Sequence, residues 1–416
     1  MPANPSSDLD IRPGGRVLTL NGGSSSIKFA LFDAENPLRR TLAGAVERIG
    51  FADAFLRAGG PDRPDERRSL PASDPAQAAI GLVDWLGGLG ELDRVAAIGH
   101  RVVHGGPKHF DPQFVVPELL ADLRAAVPLD PAHLPAEIRL IEAMARRLPG
   151  VPQVACFDTA FHRDLPTPAR LLPIPRRYAA AGVRRYGFHG LSYAYLLEEL
   201  ERRAGTQAAR GRVVLAHLGS GASMAAVRGG RCIDTTMGLT PAGGLVMGTR
   251  TGDLDPGVLV HLLRTEKLSA DDLDRLVNRE SGLLGVSETS SDLRDLLGRQ
   301  ETDPRAAEAV ELFCYQARKW VGALAAALGG LDALVFAGGV GENAAEVRTR
   351  VCDGLGFFGV RLDADRNAVG AGLISADGCP CAVWVIPTDE ELMIARTVLK
   401  VLESSPTPAL ETTPHG

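Results

Sequence analysis

One lysine near the start of the chain stands among residues that suit an anion. The segment from Asn21 to Lys28, NGGSSSIK, holds two glycines and the hydroxyls of Ser24, its neighbour and Ser26. Glycine lets backbone amides approach an anion, serine hydroxyls donate hydrogen bonds, and lysine supplies positive charge. The Walker pattern G-x-x-x-x-G-K-[ST] does not occur in the sequence. We therefore predict a phosphate-binding turn of another type, with a surface lysine on an ordinary strand as the alternative.

Two arginines lie beside glycines in segments that suit ligand binding. Arg101 follows a predicted strand in GHRVVHGG, and Arg250 lies in the glycine-rich segment LTPAGGLVMGTRTGDLD. Ligands of α/β proteins bind at strand ends, and long irregular segments inside compact domains are usually functional. The sequence predicts that both arginines bind anions. A surface position is the alternative for each arginine taken alone.

An aspartate and a histidine lie in similar surroundings. Asp158 closes a predicted strand in FDTAFH, and His189 lies between glycines in YGFHG. The glycine neighbours favour a loop for His189. A structural histidine that only makes hydrogen bonds is the alternative.

A glycine motif lies in the last fifth of the chain. Residues 339–344 of GGVGENA fit G-x-G-x-x-A between a predicted strand and a predicted helix. A dinucleotide-binding fingerprint normally opens its fold, and the nearest acid after a strand-like run, Asp363, is poorly placed. A phosphate site at a helix N-terminus needs the same glycines, so both interpretations stay open.

The segment TDEE near the end has the pattern of a capping box. Thr388 is predicted to cap the last helix, with Glu391 reaching back to it. This leaves Glu390 as the free carboxylate, and we expect it to bind Mg²⁺ through water.

Apolar segments of strand length alternate with helical patterns, which predicts an α/β protein. Strands are predicted at 17–20, 95–98, 151–157, 213–216, 334–337 and 382–386, and helices at 76–86, 136–148, 193–203, 270–278, 306–328 and 390–402.

Two distant segments resemble each other. LTLNGGSSSIKFA at 18–30 and LAHLGSGASMAAV at 215–227 align without a gap at an offset of 197. Each reads as a strand, a Gly/Ser turn and a second strand. The similarity predicts two related domains that open with the same hairpin, and two unrelated glycine hairpins are the alternative.

Length and composition agree with two soluble domains. The chain has 416 residues, 45% of them hydrophobic, and a net charge of −6. Mild acidity disfavours a nucleic-acid binder, and paired arginines such as Arg184 and Arg185 are interpreted as solvated surface. Six cysteines without metal-site or disulfide spacing, and no long apolar run, predict a cytoplasmic protein that does not enter a membrane. The tails 1–15 and 404–416 are expected to be flexible.

Taken together, these motifs resemble the acetate kinases, within the acetate and propionate kinase group of the sugar kinase, Hsp70 and actin superfamily. The resemblance runs from about Val17 to Arg396. It rests on NGGSSSIK, GHRVVHGG, FDTAFH, YGFHG, HLGSGAS, DTTMGLTPAGGLVMGTRTGDLDP, SGLLGVS, GGVGEN and TDEEL.

The resemblance implies a fold and partners. The expected fold is two duplicated actin/Hsp70-like (ribonuclease H-like) α/β domains with ATP in the cleft between them. Their expected bounds are 16–160, completed by the C-terminal helix 390–403, and 161–389. A homodimer is also implied. Acetate and ATP are the implied substrates, with Mg²⁺ as the metal and Mn²⁺ as its substitute.

The resemblance also implies roles for individual residues. Asn21 and Glu390 would hold Mg²⁺, and Lys28, Ser24 and Ser26 would line the phosphate path. Arg101 would hold the acid, Asp158 would lie beside the reacting group, and His189 and Arg250 would stabilise the transferring phosphoryl group. Val103, Phe188 and Pro241 would surround the methyl group, with Leu129 closing the pocket. The remaining ATP contacts would come from His217, Leu218, Gly219, Ser220, Gly221, Asp292, Leu293, Arg294, Gly339, Val340, Gly341, Glu342 and Asn343.

The implied reaction is phosphoryl transfer between ATP and acetate, and simple chemistry supports the residue types. A carboxylate is already ionised at pH 7, so no base is needed to create the nucleophile. Two anions must approach each other, which arginines and Mg²⁺ make possible. Asp158 is therefore expected to position groups first and to carry protons second. Propionate and butyrate remain alternative acceptors, because one methylene changes binding by only about 1–3 kcal/mol.

Three positions depart from the family pattern. Ser220 stands where most members have asparagine, and residues 127–135, VPLDPAHLP, replace a PLHNPAN-like run near the pocket. Gly22 replaces the usual cysteine, which we expect to be harmless.

Three other functions are considered. A kinase of the same fold with a hydroxyl acceptor would use Asp158 as its base. A nucleotide-switched binding module would hydrolyse ATP slowly without an acceptor. A dinucleotide-dependent dehydrogenase is the third.

Overall fold

The computed structural model of the protein describes residues 15–23, 26–35, 37–370 and 372–404. Its strands are β1 (Arg16–Gly22), β2 (Ser26–Asp33), β3 (Arg39–Glu47), β4 (Phe55–Gly60), β5 (Arg63–Ser69), β6 (Val95–Val102), β7 (Gln113–Phe114), β8 (Gln153–Phe157), β9 (Arg212–Leu218), β10 (Ala222–Arg228), β11 (Arg231–Thr235), β12 (Ala333–Ala337), β13 (Gly372–Leu373) and β14 (Ala382–Val385).

The α-helices lie mostly between the strands. They are α1 (Pro75–Gly88), α2 (Pro117–Ala126), α3 (Leu134–Arg147), α4 (Thr167–Arg170), α5 (Arg176–Ala180), α6 (Gly190–Ala204), α7 (Thr206–Arg210), α8 (Pro256–Thr265), α9 (Ala270–Arg275), α10 (Gly282–Ser287), α11 (Leu293–Arg299), α12 (Pro304–Leu328), α13 (Gly338–Asn343), α14 (Ala345–Cys352), α15 (Ala364–Val369) and α16 (Glu390–Ser404).

All six predicted strands and all six predicted helices are present, with ends that differ by a few residues. The helix predicted at 270–278 is the least regular of them. It leaves α-geometry after Arg275 and continues as a π-helical turn, Leu276–Glu280. The hydroxyl of Ser281 donates to the carbonyl of Leu276 at 2.7 Å, which gives that carbonyl a side-chain partner. Most of the predicted tails, and Ser24, lie outside the described residues.

The chain divides into two compact units, residues 1–160 with 389–416 and residues 161–388. The sheet of the first unit has the order β5-β4-β3-β2-β1-β6-β8-β7, and that of the second has the order β11-β10-β9-β12-β14-β13. In each sheet, three antiparallel strands come first and two further strands run parallel to the first one. The shared order shows a duplicated α/β fold.

The two opening hairpins are similar but differ in register. Leu18 pairs with Leu31 in the first hairpin. At an offset of 197, Leu215 corresponds to Leu18, and position 228 corresponds to Leu31. Leu215 pairs instead with Ala225, three residues before position 228. The gap-free correspondence therefore holds for the first strand of each hairpin, while the second strand is shifted by three residues.

In the first unit, α1 and α3 pack on the sheet and α16 contacts its central strands. Leu82 of α1 and Leu140 of α3 share one apolar cluster with Leu18 and Leu20 of β1. A Cβ atom at Gly99 would lie 2.4 Å from the side chain of Ile394, so a larger residue in β6 would displace α16. This close packing fixes the start of α16 against β6.

In the second unit, α6 packs against the first strands of the sheet. Tyr193 and Leu196 are fully buried in a cluster with Val213 and Leu215 of β9. The N-terminus of α6 is thereby fixed relative to β9. Within the described ranges, no helix is both long and apolar enough to cross a membrane.

Candidate functional site

Arg101 and Asp158 meet at the ends of neighbouring parallel strands. Arg101 lies opposite Cys156 in the register of β6 and β8, and Asp158 follows β8 directly. The Arg101 guanidinium donates from Nε at 2.9 Å and from Nη2 at 2.6 Å to Oδ2 of Asp158. Asp158 is fully buried, and its Oδ1 contacts no hydrogen-bond donor in the part of the chain that the structure describes. The pair holds the guanidinium near the end of β6, and the role of Arg101 in ligand binding stays a prediction.

Asn21 and Glu390 also lie together. Asn21, near the end of β1, donates from Nδ2 to Oε2 of Glu390 at 2.8 Å and more weakly to Oε1 of Glu391 at 3.4 Å. Both glutamates are in the first turn of α16, where the helix N-terminus favours negative charge. These oxygens are the hard ligands that Mg²⁺ prefers, and Mg²⁺ usually keeps several waters and takes few protein ligands. The side chains present therefore fit a magnesium site.

The predicted capping box at 388–391 is wrong. Oδ1 of Asp389 accepts from the amide of Leu392 at 2.9 Å, so Asp389 caps the helix. The helix begins one residue later than the motif requires, which leaves Glu391 too close to the N-terminus to reach back. The hydroxyl of Thr388 instead shares a hydrogen bond with Ser192 at 2.8 Å.

The side chain of Lys28 lies near the carboxylates of Glu390 and Glu391. Lys28 pairs with Asn21 across β1 and β2, and its side chain is exposed. A cavity of about 560 Å³ along β2 to β5 is lined by Lys28, Arg40 and Glu391, among others. A ligand can thus reach the lysine. Ser26, at the start of β2, is half-buried.

The charges around Arg101 are strongly coupled. Burial alone would lower the pKa of Arg101, but the carboxylates of Asp158, Glu390 and Glu137 raise it above its ordinary value. Burial raises the pKa of Glu390, although Arg101 and Lys28 oppose this effect. Arg101 therefore stays charged and is surrounded by acids.

Two buried acids in this part of the first unit were not identified from the sequence. Glu137 of α3 and Asp130 before it are each 2% exposed. Oε2 of Glu137 accepts from the amide of Val103 at 3.0 Å, and Oδ1 of Asp130 contacts Nδ1 of His133 at 2.9 Å. Burial raises the pKa of Glu137 to about 8, opposed by Arg101 and the Val103 amide and reinforced by Asp130 and Asp158. We call Arg101, Asp130, Glu137, Asp158 and Glu390 the Arg101 cluster.

In the second unit, His189 stands at the N-terminus of α6. Its backbone is left-handed, with φ of 61°, which a non-glycine residue adopts at some cost. Nδ1 of His189 contacts the hydroxyl of Ser223 at 2.9 Å, and the ring stacks on His217 with centroids 4.3 Å apart. His217 in turn contacts the hydroxyl of Ser192 at 2.8 Å. These contacts hold the imidazole of His189 in one orientation.

Arg250 lies beside His189. A Cβ atom at Gly221 would be 3.5 Å from Nε2 of His189 and 3.8 Å from Nη1 of Arg250. Arg250 also donates to the carbonyl of Pro241 at 3.2 Å. The segment around Arg250, described throughout, contains no helix or strand between 236 and 255, as predicted. We call His189, His217, Gly221 and Arg250 the His189 cluster.

A second arginine organises this irregular segment. Arg185 donates through Nη1 to the carbonyls of Thr235, Thr236 and Met237 at 2.9–3.1 Å. Arg185 was predicted to lie on the solvated surface. This prediction is wrong, because its guanidinium donates to three backbone carbonyls at the end of β11.

Two glycine turns lie next to each other in the second unit. Gly338 has φ of 77°, and a Cβ atom there would lie 2.7 Å from the carbonyl oxygen of Leu218. A Cβ atom at Gly219 would lie 3.9 Å from the amide nitrogen of Gly339. Gly338 was absent from the residues assigned to ATP, although it is the first glycine of GGVGEN. Only glycine permits this approach of the turn after β9 to the start of α13.

Several residues assigned to ATP have side chains with structural partners. Oε1 of Glu342 accepts from the amides of Gly338 and Thr388 at 2.8 and 3.1 Å. Asn343 donates to the carbonyl of Gly339 at 2.9 Å. Asp292 caps α11 and pairs with Arg294 on the surface.

The apolar residues assigned to the acid pocket belong to different units. Val103 in the first unit and Phe188 in the second are buried, while Leu129 and Pro241 are half-buried.

Comparison with known proteins shows the family of the chain. The family model described as the Acetokinase family matches residues 16–396. The chain belongs to the acetokinase family. It is 48% identical over 394 residues to an acetate kinase of Rhodopseudomonas palustris, covering 93% of this chain and 98% of that protein.

Solved structures of two family members are similar throughout. The acetate kinase of Porphyromonas gingivalis is 38% identical with a TM-score of 0.85, and 93% of this chain covers all of that one. A propionate kinase of Francisella tularensis is 34% identical with a TM-score of 0.86, with coverage of 92% and 98%. This acetokinase chain thus spans almost the full length of its relatives.

Proposed function

We propose that the protein transfers the γ-phosphoryl group of ATP to acetate, giving acetyl phosphate and ADP, and that it catalyses the reverse reaction. The observation that carries this proposal is the largely buried Arg101, held by Asp158 at the end of β6. The 48% identity to an acetate kinase supports the same reaction.

Arg101 binds the acid in this proposal. A guanidinium matches the two oxygens of a carboxylate, and it is always charged. Asp158 engages Nε and Nη2 through one oxygen, which fixes the plane of the guanidinium. Acetate needs no base because it is ionised near neutral pH. Asp158 therefore acts by orienting Arg101.

The His189 cluster stabilises the phosphoryl group. Arg250 and His189 lie near Gly221, whose missing side chain leaves room for a phosphate. The adjoining turns at 219–221 and 338–341, with Asp292 to Arg294, bind the rest of ATP. An arginine beside a transferring phosphoryl group contributes about 10³–10⁵ in rate in other phosphotransferases.

Asn21 and Glu390 would hold Mg²⁺, or Mn²⁺ in its place. Bound there, the ion neutralises negative charge on the phosphates. Mg²⁺ usually keeps several waters and takes only one or two protein carboxylates together with phosphate oxygens, so the two side chains are enough for such a site.

A cytoplasmic location and a homodimer are also proposed. The proposed location rests on the sequence, in which six cysteines have neither metal-site nor disulfide spacing. The homodimer rests on the family resemblance.

Propionate and butyrate are the alternative acceptors. Similarity to a propionate kinase at 34% identity favours keeping them. Buried apolar side chains such as Val103 and Phe188 distinguish homologous acids weakly, by about 1–3 kcal/mol per methylene.

The proposal predicts an ATP-dependent acyl phosphate. The purified protein is incubated with ATP, Mg²⁺ and acetate, propionate or butyrate, and the acyl phosphate is trapped with hydroxylamine. We expect hydroxamate from acetate, with kcat/KM highest for acetate and lowest for butyrate. A higher kcat/KM for propionate would move the assignment to a propionate kinase. No hydroxamate from any of the three acids would refute the proposal.

A further inference from the structure

Glu137 is a buried acid on the inner face of α3. It is 2% exposed, and Oε2 accepts from the amide of Val103, two residues after Arg101. Its charge is coupled to Arg101, Asp130 and Asp158. The helix thus inserts a carboxyl group behind the arginine that is proposed to bind acetate.

Three buried carboxyl oxygens of the Arg101 cluster lack a donor. Oε1 of Glu137, Oδ1 of Asp158 and Oδ2 of Asp130 have no hydrogen-bond partner among the residues that the structure describes. A buried acceptor without a donor destabilises the folded state. If all three acids were ionised, the cluster would hold three acceptors without donors, and none of its carboxyl groups would carry a proton. A proton on Oε1 of Glu137 would turn one of these three acceptors into a donor and would remove one buried negative charge.

Charged groups on three neighbouring segments affect the ionisation of Glu137. Asp130, before α3, and Asp158, after β8, both oppose ionisation of Glu137, whereas Arg101 of β6 favours it. Arg101 is already shared with Asp158 and Glu390. Nδ1 of His133 contacts Oδ1 of Asp130. Arg101 therefore interacts with three acids, Asp158, Glu390 and Glu137, before any substrate anion binds.

We propose that Glu137 is a positioning residue of the acid site, which as a neutral carboxyl group holds the Val103 amide and leaves the charge of Arg101 to Asp158 and the incoming carboxylate. This inference rests on the proposed function. Ionised Glu137 would compete with the substrate for Arg101 and would repel it. Glu137 acts through Arg101 and Val103, so turnover of bound substrate does not depend on its charge.

The pH dependence of acetate binding follows from this role. The pKa of Glu137 is raised to about 8, so the group is mostly neutral at pH 7 and mostly ionised at pH 9. If only the neutral form permits acetate binding, KM for acetate rises about tenfold between these pH values. KM for ATP and kcat do not follow this profile.

The variant Glu137→Gln tests the proposal, because an amide keeps the acceptor for Val103 and a donor in place of the proton. We expect its KM for acetate to match the wild-type value at pH 7 and to stay within about twofold up to pH 9. Glu142→Gln is the matched control on the same helix, since Glu142 pairs with Arg124 on the surface. It should show the wild-type pH profile. A wild-type KM that does not change with pH, or a Glu137→Gln variant that keeps the wild-type rise, would overturn the inference.

A second variant decides the question if Glu137→Gln does not fold. Asp130 raises the pKa of Glu137, so Asp130→Asn should move the rise in KM to lower pH. An unchanged midpoint would overturn the inference. Absence of acyl phosphate with every acid would refute the proposed function itself, whereas normal activity with a pH-independent KM would refute only the role of Glu137.

Discussion

Arg101 and Arg250 have different surroundings, and this difference predicts different effects on the reaction. Arg101 shares its charge with buried acids, so it is suited to hold a carboxylate in a fixed plane. Arg250 lies in an irregular glycine-rich segment near His189, and its Nη1 donates to the carbonyl of Pro241. Loss of Arg101 should therefore weaken acid binding, whereas loss of Arg250 should slow phosphoryl transfer.

Arg250→Ala is expected to lower kcat by at least about 100-fold, because charge that develops on the phosphoryl group loses its cation. KM for acetate should change much less. Arg264→Ala, at an exposed position of α8, is the control and should keep wild-type turnover. Initial rates of hydroxamate formation give both constants. Near-normal kcat in Arg250→Ala would remove Arg250 from the mechanism.

The sequence predicted some members of each cluster and missed others for a physical reason. Arg101, Asp158 and His189 were recognised because they stand beside glycines or at strand ends. Glu137 was missed because an acid on an amphipathic helix looks like a solvent-exposed residue. Its burial depends on how α3 packs against β6, which no local pattern records. The change at 127–135 was the available signal, since it brings Asp130 next to Glu137.

At the scale of elements, the close approach of α3 to β1 depends on Gly22. A Cβ atom at this position would lie 2.8 Å from Cδ2 of Leu140, which is shorter than a normal contact. Gly22 is therefore more than a harmless replacement of the family's cysteine, because a side chain there requires Leu140 to move. The same helix carries Glu137, so this packing also sets the depth of that carboxyl group.

Gly22→Ala is expected to destabilise the protein by about 1–3 kcal/mol through overpacking. Leu140→Ala should cost about 2–5 kcal/mol by leaving a cavity. Because the new methyl group fills part of that cavity, the double variant should cost less than the sum by at least about 0.5 kcal/mol. Urea unfolding followed by circular dichroism measures the three free energies of unfolding.

The matched control for this cycle is Gly88→Ala. An added Cβ atom at Gly88 would meet nothing within 4 Å, so its effect should add to that of Leu140→Ala. Strict additivity for Gly22→Ala and Leu140→Ala would contradict the proposed contact between β1 and α3.

The predictions of which strands and helices exist were confirmed, because the local sequence determines them. The predictions that depended on the exact position of a residue, a helix cap and a hairpin register, were wrong. The alternation of strands and helices follows from apolar periodicity, and both opening hairpins were found. The cap of α16 was misplaced because Thr388 and Asp389 are both good capping residues, and the sequence does not show which one ends the preceding loop. Likewise, a gap-free alignment could not reveal the shift of three residues in β2 relative to β10.

At the scale of the whole molecule, the two units of one duplicated fold carry different charged clusters, which we propose bind different anions. The first unit surrounds Arg101 with acids, whereas the second combines Arg250 with His189 and two glycine turns. The strands β3-β2-β1-β6-β8 and β11-β10-β9-β12-β14 have the same order, so the two clusters differ in the residues at the ends of equivalent strands. An acid site and a nucleotide site are the two requirements of a carboxylate kinase.

The central claim is that a carboxylate oxygen of acetate attacks the phosphorus that ATP supplies and becomes the bridging oxygen of acetyl phosphate. Acetate labelled with ¹⁸O in both carboxylate oxygens, incubated with unlabelled ATP and the protein, tests it by ³¹P NMR of the acetyl phosphate. Direct attack predicts one ¹⁸O bonded to phosphorus in every product molecule, seen as a single isotope shift. An unshifted phosphorus resonance, which would mean that the bridging oxygen came from ATP, would contradict the account.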